Sequence, residues 1–254
     1  MSSRLSLTVR DAVADLPPTA SALDLLPAAR RVAAVTVGAA LDAAREVGKH
    51  VSCRPHCGAC CRQMVPIGAV EAVDLADLVA ELLADRQAVV RGRFADAVAR
   101  LDAAGLLAPA PPGQPRQFIP SDDPRDVRRR YFELGIPCPF LDDESCSIHP
   151  RRPLICREYH VSSPPERCGK LYREEVDGLG PSLSLGPVVA ATASDAAGVG
   201  MAGFPLTLAL EWAPTVAAAV RRPLPAGAAA AAFVRRVEHA DDDGTDAPPE
   251  RVAA

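Results

Sequence analysis

Aromatic side chains are scarce in this 254-residue chain, only 4% of it, so its core has to be built from Leu, Val and Ala. That mixture suits close-packed helices better than strands. The fold class expected is mainly α: a helical domain with a small irregular or hairpin cysteine-rich segment forming a metal site. Lysine occurs only at Lys49 and Lys170, and the net charge of −4 leaves no basic field for holding nucleic acid. No run of about 18 apolar residues marks a membrane span. The start, Met1-Ser-Ser-Arg-Leu-Ser-Leu-Thr-Val-Arg10, lacks an apolar stretch of the length an export signal needs, so a cytoplasmic location is expected. There is no Gly-rich phosphate loop, no Ser/His/Asp set and no repeat on the solenoid scale of about 20 to 50 residues.

What the chain does have is eight cysteines: Cys53, Cys57, Cys60, Cys61, Cys138, Cys146, Cys156 and Cys168. Four lie in the run Cys53-Arg-Pro-His-Cys57-Gly-Ala-Cys60-Cys61, and the others follow after a gap of 76 residues. A site made from both groups can be closed only by tertiary folding, which makes metal binding and folding one event. Disulfide frameworks belong chiefly to exported chains under about 100 residues that lack a core. This chain is 48% hydrophobic and long enough to bury one, so metal ligation is the leading reading of the thiols. A disulfide-stabilised protein is the weaker alternative.

Local signals organise the rest. Residues 1–20 read as a polar tail, 21–239 as a single helical domain with the cysteine region at 53–168 and an Ala-rich helical part at 169–239, and 240–254 as a disordered acidic tail. Asp24 can cap a helix over 24–48, with Pro27 tolerated in its first turn. Apolar spacing predicts helices over 66–84 and 87–104. Four prolines and a glycine make 108–115 a linker between the two halves of one site. Ser121-Asp-Asp-Pro124 opens a capped helix that stops at Gly135. Asp142-Asp-Glu-Ser145 reads as the turn of a small hairpin presenting Cys138 and Cys146, and Pro153 starts the helical turn that holds Cys156. Helices are also expected over 205–221, interrupted near Pro214, and over 226–239.

Spacing constrains the metal chemistry. Cys57-Gly-Ala-Cys60 can aim two thiols at one ion, with Gly58 permitting the tight backbone. The vicinal Cys60 and Cys61 diverge, so one of them points elsewhere. Either two four-thiolate sites or one site with spare thiols is compatible with this pattern. The later spacings of seven, nine and eleven residues disfavour a zinc ribbon, which would repeat the Cys-x2-Cys knuckle. A thiolate set is negative, and Arg62, Arg152 and Arg157 stand beside ligand candidates as cations that could offset it. His56, His149 and His160 are conceivable nitrogen ligands, although soft metals and Fe–S clusters prefer the thiolates available here.

The ordered combination Cys57-Gly-Ala-Cys60-Cys61, Cys138-Pro-Phe-Leu141, Cys146-Ser-Ile-His149, Arg152-Pro153 and Cys156-Arg157-Glu-Tyr159 resembles the YkgJ-type cysteine-cluster family, the CxxCxxCC zinc- or iron-chelating domain. The resemblance covers about residues 53–168. It implies a metal-chelating domain with all eight cysteines as the ligand set and zinc or iron as the metal; by thiolate chemistry alone, iron could be held as a [4Fe–4S] cluster. Two departures stand out: the first spacing is Cys-x3-Cys where the family has Cys-x2-Cys, and His149 takes a place usually held by tyrosine. Three function classes follow. The first is a metal or Fe–S binding protein whose only assignable partner is the metal, with no nucleic acid and no membrane. The second is an Fe–S-dependent enzyme, such as a protein lysine methyltransferase related to flagellin lysine methylases, which carry a similar cluster. The third is the disulfide protein. Cys53-x3-Cys57-x2-Cys60 also matches the radical-enzyme spacing, but that chemistry needs a barrel whose strands are not apparent in the sequence.

Overall fold

The computed structural model describes residues 3–111, 113–200 and 203–242. Its helices are α1 (Ser3–Ala14), α2 (Leu25–Glu46), α3 (Ala69–Glu81), α4 (Ala84–Ala103), α5 (Pro124–Glu133), α6 (Leu154–Glu158), α7 (Pro165–Cys168), α8 (Leu185–Ala197), α9 (Ala209–Val220) and α10 (Ala226–Asp242). Strands among the described residues form only two-residue antiparallel pairs: β1 (Thr19–Ala20) with β8 (Leu224–Pro225), β2 (Pro66–Ile67) with β7 (Phe204–Pro205), β3 (Leu107–Ala108) with β4 (Gln117–Phe118), and β5 (Leu141–Asp142) with β6 (Ser145–Cys146). The protein is mainly α, as its lack of aromatic and β-branched runs predicts. No helix among the described residues is long and apolar enough to cross a membrane.

The core forms around α3. Nine of its thirteen residues are buried, among them Glu71 and Asp74, so it is enclosed on more than one face. It packs most extensively against α9, with α4 and α8 also in contact, while α8 packs on α10 and α1 on α2. The small side chains of Ala28, Ala29, Ala33, Ala72, Ala193, Ala209 and Ala213 let these helices approach closely, and Leu25, Leu75, Leu101 and Leu208 fill the space between them.

Several elements differ from the sequence expectation. The polar tail expected over 1–20 contains α1, and Val9 and Ala12 are buried in the core. Arg31 of α2 donates to the Ala12 carbonyl at 2.5 Å, so a distant cation satisfies the end of a helix whose own composition is weakly apolar. The helix predicted over 66–84 begins only at Ala69, because Pro66 and Ile67 pair with Pro205 and Phe204. Of the linker expected over 108–115, Ala108 ends β3, and residues 109–111 and 113–115 lie in the loop that joins β3 to β4. Helix α9 runs through Pro214 without a break. Helix α8 falls inside the Ala-rich helical part expected over 169–239, although no bounds are predicted for it; Pro187 lies in its first turn, where a proline gives up an N–H that has no intrahelical partner. The acidic tail expected over 240–254 lies outside the described residues beyond Asp242.

The elements that carry the later cysteines follow their local signals. Asp123 caps α5 by accepting from the backbone N–H of Arg125 at 2.9 Å and Asp126 at 3.2 Å. The helix stops at Gly135, whose φ of 59° is a left-handed conformation suited to glycine. Phe140, 1% exposed, then anchors the next segment in the core through an edge-to-face contact with Phe94 of α4, ring centroids 5.5 Å apart. Phe140→Ala is expected to lower unfolding free energy by about 3–5 kcal/mol in urea titration. A loss below about 1 kcal/mol would mean that this anchor does not hold the cysteine segment to the helices.

Candidate metal centre

The first cysteine group has little regular structure of its own and is held by long-range bonds. Ser52 donates from its backbone N–H to the Val161 carbonyl at 2.9 Å and from its hydroxyl to the Ser162 carbonyl at 2.7 Å. Residues Ala59–Arg62 form a 3₁₀ turn, with the Cys61 N–H on the Gly58 carbonyl at 2.9 Å. This turn docks on the β5–β6 hairpin. A Cβ placed on Gly58 would lie 2.5 Å from Glu144 Oε2, 2.8 Å from Leu141 Cδ1 and 3.1 Å from the Glu144 Cα, so any larger residue would displace the Glu144 and Leu141 side chains. Arg62 spans the contact, donating to the Gly58 carbonyl at 2.9 Å and to both Glu144 oxygens at 2.9 and 2.6 Å. The Cys138 N–H completes the join on the Cys61 carbonyl at 2.7 Å. Gln63 donates to the Tyr159 hydroxyl at 3.2 Å.

The hairpin that receives the turn is itself tightly specified. Asp143 and Glu144 have φ of 47° and 58°, the two left-handed positions of a type I′ turn, whose twist suits a two-residue connection. Two arginines of α4 fix its base: Arg86 pairs with Asp142, and Arg93 donates to Asp142 Oδ1 at 2.8 Å, to the Leu141 carbonyl at 3.0 Å and to the Pro139 carbonyl at 3.2 Å. The short helix α6, which carries Cys156, is gripped at both ends by buried carboxylates. Glu71 of α3 accepts from the Leu154 N–H at 2.8 Å at the start of α6. Glu158 at its end accepts from the Ser184 hydroxyl at 2.7 Å and from the Leu185 N–H at 2.8 Å at the start of α8. Each carboxylate thus satisfies an N–H that the beginning of a helix leaves without an intrahelical partner. One turn along α3 from Glu71, Asp74 pairs with Arg30 at 2.5 Å and with Arg151 at 3.1 Å, tying the same segment to α2.

All eight cysteines are free thiols. Those of the two groups are close enough to act on one another electrostatically. Burial pushes the Cys138 thiol up to about 12, with Cys146 and Cys60 adding to it. Burial also drives the Cys156 thiol well above its ordinary value, reinforced by Cys138, Cys60, Glu71 and Cys146. Cys168 is pushed up to about 11 by burial, then by Cys60, Cys53 and Cys57, against the hydrogen bond from Tyr159. Cys60 is raised first by its hydrogen bond with Cys61 and then by burial. Burial raises Cys53 and Cys146 as well, and the Arg152 guanidinium opposes the rise at both and at Cys60. Loss of a proton at Cys53, Cys60, Cys138, Cys146, Cys156 or Cys168 is therefore resisted by neighbouring thiols unless a cation is present.

The structure separates the three arginines named from the sequence. Arg62 is bound to Glu144 and Arg157 to the carbonyls of Arg152 and Pro150. Arg152 keeps a buried Nε–H with no hydrogen-bond partner while its charge acts on thiols of both groups. His56 is exposed on the loop between Cys53 and Cys57. His149 is lowered chiefly by Arg152, and His160 chiefly by burial, so both favour the neutral form. Sequence reasoning missed Glu71 and Glu158. The one signal for Glu71 is a lone acid inside the apolar run Ala69-Val-Glu-Ala-Val73. Among the described residues, no three His, Cys, Asp or Glu side chains stand, as oriented, close enough to hold one metal ion. The radical-enzyme spacing of Cys53, Cys57 and Cys60 has no barrel around it there either, since the described strands are all two-residue antiparallel pairs.

Residues 52–176 match the CxxCxxCC family, described as "Putative zinc- or iron-chelating domain", a stretch that contains all eight cysteines and supports a zinc- or iron-chelating function. No curated protein and no solved structure matches the chain.

Gly58→Ala is expected to push the 3₁₀ turn off the hairpin, with a loss of about 1–3 kcal/mol in denaturant unfolding. Wild-type stability in that variant would show that the turn does not dock on the hairpin. Glu71 gives a pH signature, because burial raises its carboxyl from 4.5 to about 7 in the folded chain. A group raised on folding stabilises most fully below its unfolded value, so this contribution is lost as pH climbs from about 4.5 to about 7. The stability difference between wild type and Glu71→Gln should shrink or reverse over that window when melting is followed by circular dichroism. A difference that does not change with pH would exclude titration of Glu71.

Proposed function

We propose that this protein chelates zinc or iron through the thiols of Cys53, Cys57, Cys60, Cys61, Cys138, Cys146, Cys156 and Cys168. The observation that carries the reading is the meeting of two groups far apart in sequence: the 3₁₀ turn of the first lies against the hairpin of the second, with Gly58 on Glu144 and Leu141 and the Cys138 N–H on the Cys61 carbonyl. The donor chemistry fits a thiophilic cation. The thiols are reduced, neighbouring thiols raise the proton affinity of Cys138 and Cys156, and a bound divalent metal ion would supply the positive charge that releases those protons. Bringing sulfurs onto one ion requires side-chain rotation about the docked backbone. For iron the same thiols could hold an Fe–S cluster, with Arg152 and nearby backbone N–H groups offsetting its negative charge.

On this reading the metal adds a cross-link between two segments that already meet through Gly58, Arg62 and Cys61, and the protein's function is metal retention or a structural response to metal supply. Protein purified under anaerobic conditions should contain tightly held zinc or iron by elemental analysis. Colourless protein with zinc selects a thiolate site, and a brown protein with visible absorption selects an Fe–S cluster. Cys57→Ser and Cys156→Ser should each release metal and lower the melting temperature. Metal-free protein that keeps its helical signal overturns the reading, and unchanged metal content in both variants removes these two residues from the ligand set. Zinc affinity should fall as pH is lowered, because each ligand must lose a proton to bind.

A further inference from the structure

Tyr159 stands where the two cysteine groups meet. It closes α6, its backbone N–H on the Ile155 carbonyl at 3.1 Å, three residues after Cys156. The chain on either side is fixed: Glu158 accepts from the Leu185 N–H at 2.8 Å, the His160 carbonyl from the Leu179 N–H at 2.7 Å, and the Val161 carbonyl from the N–H of Ser52, next to Cys53, at 2.9 Å. The tyrosine ring packs against the apolar cluster of Val161, Cys168, Leu171 and Val176, in which Cys168 is 4% exposed. Its hydroxyl accepts from Gln63 Nε2 at 3.2 Å. Gln63 follows directly on the 3₁₀ turn of the first group, with its own N–H on the Cys60 carbonyl at 3.1 Å.

We infer that Tyr159 is a positioning residue of the metal centre, its hydroxyl donating to the Cys168 sulfur while Gln63 ties that hydroxyl to the first cysteine group. The inference rests on the metal-chelating reading above and gives one of its ligands an outer partner.

The hydrogen-bonding inventory sets the direction. An amide Nε2 only donates, so the Gln63 bond occupies a lone pair of the hydroxyl and leaves its proton for another acceptor. The Cys168 sulfur is that acceptor, the hydroxyl being hydrogen-bonded to it. Packing alone does not require this arrangement, since a phenylalanine ring would fill the same space and make neither bond. Helix α7, which carries Cys168, is four residues long, so its backbone gives the sulfur little support of its own and the hydroxyl supplies a constraint from α6. A thiolate on a metal ion keeps lone pairs that accept such a bond. The contact therefore persists on loading, where it orients the sulfur and draws charge from it. One hydroxyl thus links the turn after Cys60, the helix of Cys156 and the last cysteine of the chain.

The test titrates the full-length, reduced, metal-free chain with cobalt(II), whose thiolate charge-transfer absorption reports on the bound sulfurs, and with zinc for affinity. Tyr159→Phe should move that absorption to longer wavelength, because a sulfur relieved of a hydrogen bond gives up charge more readily, and should weaken zinc binding by about 10-fold. Gln63→Glu should shift the absorption the same way with the tyrosine in place, since a carboxylate takes the hydroxyl proton away from the sulfur. In a Cys168→Ser background Tyr159→Phe should change neither readout further. Unaltered absorption and affinity in Tyr159→Phe overturn the inference and leave metal chelation standing, and an effect of Tyr159→Phe that survives in the Cys168→Ser background overturns it equally. Where Tyr159→Phe fails to fold, Gln63→Glu decides, and no shift in that variant overturns the inference. In a chain that loads only with iron and sulfide, the same comparison is read from the reduction potential, which falls when the bond is removed and stays constant if the inference is wrong. A wild-type chain that takes up neither cobalt nor zinc, nor iron with sulfide, overturns the metal-chelating reading itself.

Discussion

The closeness of Gly58 to the turn at Glu144 is the constraint on which the cysteine region depends. It brings together two groups separated by 76 residues, close enough that a Cβ on Gly58 would meet the Glu144 and Leu141 side chains and approach the Glu144 Cα. The Arg62–Glu144 fork across the contact is one-third to one-half exposed, so it contributes about 0.2–1 kcal/mol and serves mainly to orient the turn. The larger share comes from what lies beneath: Phe140 in the core, and Arg86 and Arg93 holding the base of the hairpin to α4. The thiols therefore sit on a surface whose geometry is set by the helices.

The buried carboxylates extend this logic to Cys156. A five-residue helix cannot sustain itself, because nucleation outweighs so few hydrogen bonds. Glu71 and Glu158 instead make α6 the middle link of a chain in which each carboxylate satisfies the start of the next helix, from α3 to α6 and from α6 to α8. Removing either acceptor leaves a backbone N–H unpaired, at a penalty of about 1–3 kcal/mol, more than an exposed ion pair supplies. Asp74 with Arg30 and Arg151 adds a second tie between α2, α3 and the same segment. Polar groups are buried here because they position a cysteine-bearing segment that has too few apolar residues to position itself.

Legibility in the sequence varied with the range of the interaction responsible. The Asp123 cap, the stop at Gly135, the 142–145 turn and the Pro153 start are local signals, and the structure shows each of them. Helix α1 was hidden because its burial depends on α2, and its C-terminal carbonyl is satisfied by Arg31 from another helix. Helix α8 lies in the Ala-rich part expected to be helical, but its start is set by Glu158 accepting from the Leu185 N–H, a partner 27 residues away. Glu158 resembled any acid next to a cysteine, since nothing in Cys156-Arg157-Glu-Tyr159 indicates that its partner is the Leu185 N–H.

The sequence by itself determined the helical class and the eight thiols, together with the glycine in Cys57-Gly-Ala-Cys60, because composition, residue identity and short-range spacing are fixed along the chain. Only the tertiary structure decided that Gly58 faces Glu144, that Cys138 meets Cys61, and that Arg152 rather than Arg62 or Arg157 keeps an unpaired N–H beside the thiols. The physical reason is that a pairing across 76 residues is selected by the packing of α3 on α4 and of α6 on α2 and α8, and neither partner's local sequence records it.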